Sequence, residues 1–206
     1  MLKLITQPSE EPVTLERAKL HLKDDVGAED ELIQAWIKTA RRRLENAAAM
    51  SFVSTGWRFS LEGFPFQGCR HETVRDLERG NGSGLIAAIP LPRAPLVEVT
   101  RIRYVDAGGT LQTLDPSAYQ VGEGPPGVVA PAYGLSWPSA RIQFNAVQIE
   151  FTAGYGTADD VPDTLKSAIL LFVSHLAENR GDNPDDIPIP STVWDLLASE
   201  SWGASA

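Results

Sequence analysis

Val147-Gln148-Ile149-Glu150-Phe151 runs into Ala153-Gly154-Tyr155-Gly156; an acidic linker and Pro162 then open an apolar helix over 165–177, ending at Glu178-Asn179-Arg180-Gly181. Apolar and polar residues alternate over 147–151, the mark of an extended strand with one buried face. Pro162 suits the first helical position and Gly181 the residue after the helix end. Leu165, Ala168, Ile169, Phe172, Val173 and Leu176 form one stripe, and Leu170 and Leu171 lie roughly 100° or more away from it. A surface helix would leave those two positions polar. This one is expected to be buried on more than one side, by its own bundle or by a neighbouring copy, which makes Leu170 and Leu171 the candidate subunit-interface residues. The segment carries no motif of known chemistry. A strand feeding a buried helix is scaffold, and it points to assembly rather than catalysis.

Upstream, Thr14 is placed to cap a short helix over 15–22, with Val13 as its hydrophobic staple and Glu16 in the favourable first turn. Asp24-Asp25-Val26-Gly27 breaks it. A longer helix is predicted from about Ala28 to Met50, with Leu32, Ile33, Trp36, Ile37, Ala40, Leu44 and Ala47 on one stripe. Arg41-Arg42-Arg43 points in three directions around that helix, which reads as a solvated face or a subunit contact. From 51 to 156 Pro, Gly, Val, Thr and aromatics replace the helix formers, as in short strands and turns. Trp57, Phe59 and Leu61 alternate with polar neighbours. Val97 and Val99 share one parity and Ile102 and Tyr104 the other, which implies a bulge near Thr100-Arg101. Asp106-Ala107-Gly108-Gly109 signals a hairpin before 110–114, and a parity switch between Ile142 and Phe144 and the run Val147, Ile149 and Phe151 makes Asn145-Ala146 a bulge or tight turn. Gly80–Gly84 and the stretch 122–127 read as loops. After 182–190, Ser191 is placed to cap a final helix carrying Val193, Trp194 and Leu197, and Trp202 follows in a small-residue tail.

These readings give an α+β fold: a helical scaffold of two N-terminal and two C-terminal helices around a β-rich antiparallel insertion. The expected parts are 1–50, 51–156 and 157–206. With 43% apolar and 22% charged residues in 206, the composition is that of a globular protein with a real core. No run approaches the roughly 20 apolar residues of a membrane span, and Met1-Leu2-Lys3-Leu4-Ile5 is too short for a signal peptide. The single cysteine, Cys69, fits a reducing compartment. A cytosolic protein with no membrane partner is the expectation.

Charge is divided unevenly. Residues 1–105 hold 15 Lys and Arg against 14 Asp and Glu, whereas 106–206 hold 3 against 13. An acidic face is expected, serving solubility, a basic partner, or the exclusion of nucleic acid. Duplex DNA is gripped by cations that displace its counterions, so an acidic wall would let it slide past.

No catalytic, cofactor or metal site emerges. Cys69 and His71 lack the second pair a metal needs, and His21 and His175 sit singly on predicted helices. Ser83 stands between glycines without the strand and spacing of a nucleophile elbow. Gly80 and Gly82 lack the rest of a dinucleotide loop, and no P-loop exists. Asp159-Asp160 and Asp185-Asp186 flank helix boundaries beside proline, where acids solvate or cap. Trp36 and Trp57 lie on apolar faces. Trp194 and Trp202 have the character of interface anchors.

A series of local motifs, each present once, runs in order along nearly the whole chain. It comprises Val13-Thr14-Leu15-Glu16-Arg17-Ala18-Lys19 with His21-Leu22, the helix over 32–45, and Leu91-Pro92-Arg93-Ala94-Pro95-Leu96. Trp137-Pro138, Ala153-Gly154-Tyr155-Gly156, Val161-Pro162, Ala168-Ile169-Leu170-Leu171 and Glu178-Asn179-Arg180 complete it. Together they resemble the phage head–tail connector family, the portal adaptors also found in gene transfer agents. The resemblance implies a homo-oligomeric ring, typically a dodecamer, beneath the portal protein. Such a ring extends the DNA channel, offers its far side to stopper or tail proteins, and passes duplex DNA without specific binding. It also implies assembly in the cytoplasm before incorporation at the head–tail junction. Portal contact by the C-terminal segment would fall on Trp194, Leu197 and Trp202. Two other classes compete: a β-rich module of baseplate or carbohydrate-binding type using Trp137, and an enzyme using Ser83.

Overall fold

The computed structural model describes residues 1–23, 29–65, 87–122, 124, 126–180 and 186–200. Cys69, His71, Ser83, the Gly80–Gly84 stretch, Asp24-Asp25, Gly181, Asp185 and Trp202 lie outside the described residues. The elements run β1 (Leu2–Thr6), α1 (Leu15–Leu22), α2 (Asp30–Ala47), β2 (Thr55–Leu61), β3 (Ile89–Pro90), β4 (Leu96–Val105), β5 (Leu111–Thr113), β6 (Tyr119–Gly122), β7 (Val128–Pro131), β8 (Val147–Ala153), α3 (Asp163–Glu178) and α4 (Ser191–Glu200). The architecture is the expected α+β: four helices with antiparallel sheets between them in the chain.

The helices share one core. Ile33, Trp36, Ile37, Ala40 and Leu44 of α2 meet Leu165, Ala168, Ile169, Phe172, Val173 and Leu176 of α3, and Val193 and Leu197 of α4 join them. Burying each such large side chain contributes about 1.5–3 kcal/mol. Leu32 and Ala47, at the ends of the α2 stripe, are exposed. The ends of α1 follow the expected chemistry: Thr14 Oγ1 accepts from the Arg17 amide at 3.3 Å, Val13 is buried beside it, and Lys23 closes the helix at φ 58°. Two starts differ from expectation by one position. Pro162 keeps an extended ψ of 139° and caps α3 from outside, its carbonyl accepting from Leu165 and Lys166. The Pro190 carbonyl likewise opens α4, so Ser191 is already helical.

The larger sheet has the order β1-β2-β8-β4-β5, and its neighbouring strands are antiparallel. Central β8 puts Val147, Ile149, Phe151 and Ala153 into a second core with Ile102, Ile89, Leu91, Leu114 and Val129. The last group draws in a smaller sheet, β3-β7-β6. The hairpin at 106–109 forms, with Gly109 at φ 89° and its amide bonded to the Asp106 carbonyl at 2.9 Å. β4 skips Thr100, as its parity predicts, and also skips Val97, which is 54% exposed and does not share the face of Val99. Asn145 makes the expected turn at φ 58°. β1 is a strand the sequence does not flag: its five residues are too few to show a period, and pairing with β2 defines it.

Candidate assembly surfaces

The helical and sheet parts meet at a joint built from three segments. The Ser51 amide donates to the Ala94 carbonyl at 2.9 Å, Gly154 to Pro95 at 2.9 Å, and Tyr155 to Phe52 at 3.0 Å. Gly154 is required here. It sits at φ 136°, and a Cβ would lie 2.6 Å from the carbonyl carbon and oxygen of Val53.

Charge locks this joint. Arg41 donates through Nε to Glu11 at 2.7 Å and through Nη1 to Glu45 at 2.9 Å, and the Phe52 amide donates to the other Glu45 oxygen at 2.8 Å. From the sheet side, Arg93 Nη1 donates to the carbonyls of Glu45 and Met50 at 2.6 and 2.9 Å, and its guanidinium lies 4.6 Å from the Trp57 ring centre. Burial pushes the Glu45 carboxyl up, and Arg41, the Phe52 amide and Arg93 offset this only in part. Arg41 is desolvated too, yet Glu11 and Glu45 together hold it above its ordinary value. Donors on both Glu45 oxygens are the geometry of a carboxylate. Arg41 therefore departs from the expected solvated face. It is buried, and Arg43 also turns inward, donating to the Ile187 carbonyl at 2.6 Å over the Phe172 ring.

The candidate interface residues part company. Leu170 is buried in the chain's own helical core, while Leu171 is 40% exposed. Leu197 is also a core residue, whereas Trp194, one turn earlier on α4, is 43% exposed. The other described tryptophans are engaged internally. Trp36 lies under Arg180, and Trp57 donates to Ser51 Oγ at 2.9 Å. Trp137 stacks on Phe64 at 4.7 Å and donates to the Ala87 carbonyl at 2.6 Å, so one ring face and the indole N–H are used within the chain.

Two surfaces escaped sequence reading. In the connection between β7 and β8, Tyr133, Ile142 and Phe144 are 100, 73 and 84% exposed. Their connection is pinned by backbone bonds from Arg141 to Val105 and from Gln143 to Glu62. The chain's own fold leaves these large apolar side chains in solvent. The second surface is the outer face of the larger sheet. There the Glu150 carboxylate accepts from Arg58 at 2.6 Å, Arg101 at 2.6 Å and Arg103 at 3.0 Å. Burial opposes ionisation of Glu150, but the hydrogen bonds from Arg101 and Arg58 outweigh it and hold the carboxyl below its usual range. Cross-strand register brings these residues together over separations of 92, 49 and 47 positions. The sole local signal was a polar residue alternating inside an apolar strand.

Among the described residues no cluster of three or more His, Cys, Asp or Glu could hold a metal, and no helix is long and apolar enough to cross a membrane. No protein-family model and no curated protein matches the sequence. Solved structures do. A chain in the virion of a native gene transfer agent (GTA) particle is 23% identical with a TM-score of 0.74, covering 100% of this chain and 97% of that one. A chain in the neck of an empty GTA particle computed with C6 symmetry is 23% identical with a TM-score of 0.72, covering 97% and 94%. A third, in the neck of a native GTA particle computed with C12 symmetry, is 22% identical with a TM-score of 0.68, covering 97% and 93%. The fold of this chain, helices and sheets together, is the fold of those particle components.

Proposed function

We propose that this chain is a head–tail connector, a portal adaptor that forms a ring at the neck of a phage-like particle. The observation that carries this reading is the fold shared with GTA particle chains over the whole length, at a TM-score of 0.74. The C6 and C12 symmetry of the similar necks supports a ring, with twelve copies as the expected number. Copies in a ring meet head to tail, each through two different complementary patches.

Leu171 belongs to one such patch, with Leu170 packed behind it. Trp194 is the surface anchor towards the portal protein. Leu197 fixes α4 beneath it, and Trp202 extends the same segment. The far side receives stopper or tail proteins, and duplex DNA passes through the ring without specific binding. The role is structural rather than enzymatic, played first in the cytoplasm during assembly and then within the particle. Co-purification with portal particles followed by electron microscopy tests the reading. A ring of this protein on the portal is the expected result; particles carrying portal but no such ring would overturn it.

A further inference from the structure

The outer face of the larger sheet carries more positive charge than the chain uses. Register aligns Lys3 of β1, Arg58 of β2, Glu150 of β8 and Arg101 of β4 in one row across four strands, with Arg103 beside it. At roughly 4.8 Å per strand the row is about 14 Å wide. Glu150 is one carboxylate facing three guanidinium groups, and both its oxygens are taken. Lys3 lies directly opposite Arg58, a like-charge pairing that destabilises a sheet unless something else neutralises it. The Lys3 side chain is exposed, and the Arg101 and Arg58 side chains are 49 and 30% exposed. Register also puts exposed Glu98 on this face, opposite Thr152, and among the described residues the ion pairs of Arg58 and Arg101 run to Glu150. Planar forks of this kind match carboxylates or phosphates.

The same chain carries the complementary charge elsewhere. Its net charge is −9, and the turn into α3 presents Asp159, Asp160 and Asp163 on the surface. Glu10 joins that turn by accepting from the Ala158 amide at 2.8 Å. Asp160 is committed to Thr157, whereas Asp163 has an 86% exposed side chain and only a 3.9 Å contact to Arg17. A basic row and an acidic turn on different elements of one chain are what a head-to-tail contact requires.

We infer that the row Lys3–Arg58–Arg101, with Arg103, is an inter-subunit surface that receives the acidic turn around Asp159 and Asp163 of a second copy of this chain. The inference rests on the ring reading above and names one of its interfaces. Duplex DNA is the poorer occupant. Glu150 cancels part of the charge, and the net-acidic remainder of the molecule repels a polyanion.

The test uses the full chain assembled on portal particles. The doubly reversed variant Lys3→Glu/Arg101→Glu keeps Arg58 and Arg103 on Glu150, and a single cooperative thermal transition, at a lower midpoint, shows that it still folds. Its ring yield is expected to fall roughly tenfold or more, because like charges then face each other across the contact. Asp159→Lys/Asp163→Lys should fall similarly, and all four changes in one chain should restore rings. Wild-type particles without rings would sink the adaptor reading itself. Wild-type rings matched by either doubly reversed variant, or no rescue by the fourfold one, would overturn this interface alone. Retention of duplex DNA at about 0.15 M salt, lost in Lys3→Glu/Arg101→Glu while rings persist, would overturn it in favour of DNA.

Discussion

Two glutamates, Glu45 at the joint and Glu150 on the sheet face, are each ringed by arginines, and they serve opposite ends. Around Glu45 the cluster is closed. Arg41 and Arg93 are each 8% exposed; Arg41 ends on the Glu11 and Glu45 carboxylates and the Arg93 Nη groups on carbonyls and Asn46, which leaves Arg93 Nε buried without a hydrogen bond. Around Glu150 the cluster is open, with partners up to 49% exposed and donors to spare. A buried ion pair holds geometry because breaking it strands a charge away from water. A buried carboxylate whose cations are partly exposed contributes less, since water reaches those cations when the carboxylate is lost. The first cluster fixes how helices and sheets meet, while the second keeps charge available at the surface.

Glu45→Ala attacks that contrast hardest. It leaves Arg41 with Glu11 alone and strands the Phe52 amide, and should cost about 3 kcal/mol. In urea unfolding this appears as a lower midpoint at an unchanged slope; a loss under about 1 kcal/mol would mean the joint does not depend on the cluster. Gly154→Ala strikes the same joint through the backbone alone. The forced contact with Val53 at φ 136° should cost about 2–3 kcal/mol, and a neutral result would show that the segments can move apart.

Glu150→Gln should cost less, about 1–2 kcal/mol, because its arginines are partly hydrated already. The sign with pH follows from its depressed carboxyl. Stability from Glu150 is complete above the ordinary glutamate value of about 4.3 and is lost as pH falls through the lower folded value. Thermal melts of wild type and variant should therefore converge as the solution is acidified from neutrality. A gap that widens instead would contradict the assignment of charge at this site. The smallest effect on stability is expected for Leu171→Glu, within about 0.5 kcal/mol. Loss of rings by electron microscopy is its diagnostic; rings that survive unchanged remove Leu171 from the interface.

Features governed by neighbours in sequence were legible. The Thr14 cap, the turn at Asp106–Gly109, the skipped Thr100 and the turn at Asn145 each follow from a few adjacent residues whose backbone preferences act locally. Leu170 and Leu171 were both recognised as lying off the α3 stripe. Which of them a neighbouring element covers is not a local property, and only Leu170 is covered. Arg41 was read as a surface residue because nothing nearby in sequence announces Glu11, 30 positions away. Ile142 and Phe144 looked like strand residues by their parity. They lie outside the ladder because the turn at Asn145 ends the pairing of β8 before reaching them.

The opening stretch, 147–181, illustrates the division. Its alternation and its apolar spacing were enough to specify a strand, a turn and a helix, because those depend on side-chain period and on Gly and Pro. Only the tertiary structure decided that Gly154 is pressed against Val53, that Leu170 is inside and Leu171 outside, and that Glu150 lies at the centre of three arginines. The Gly154 and Glu150 outcomes are set by segments roughly 50 to 100 residues away and that of Leu170 by the other helices of its core, all brought together by strand register and core packing, which no local pattern encodes.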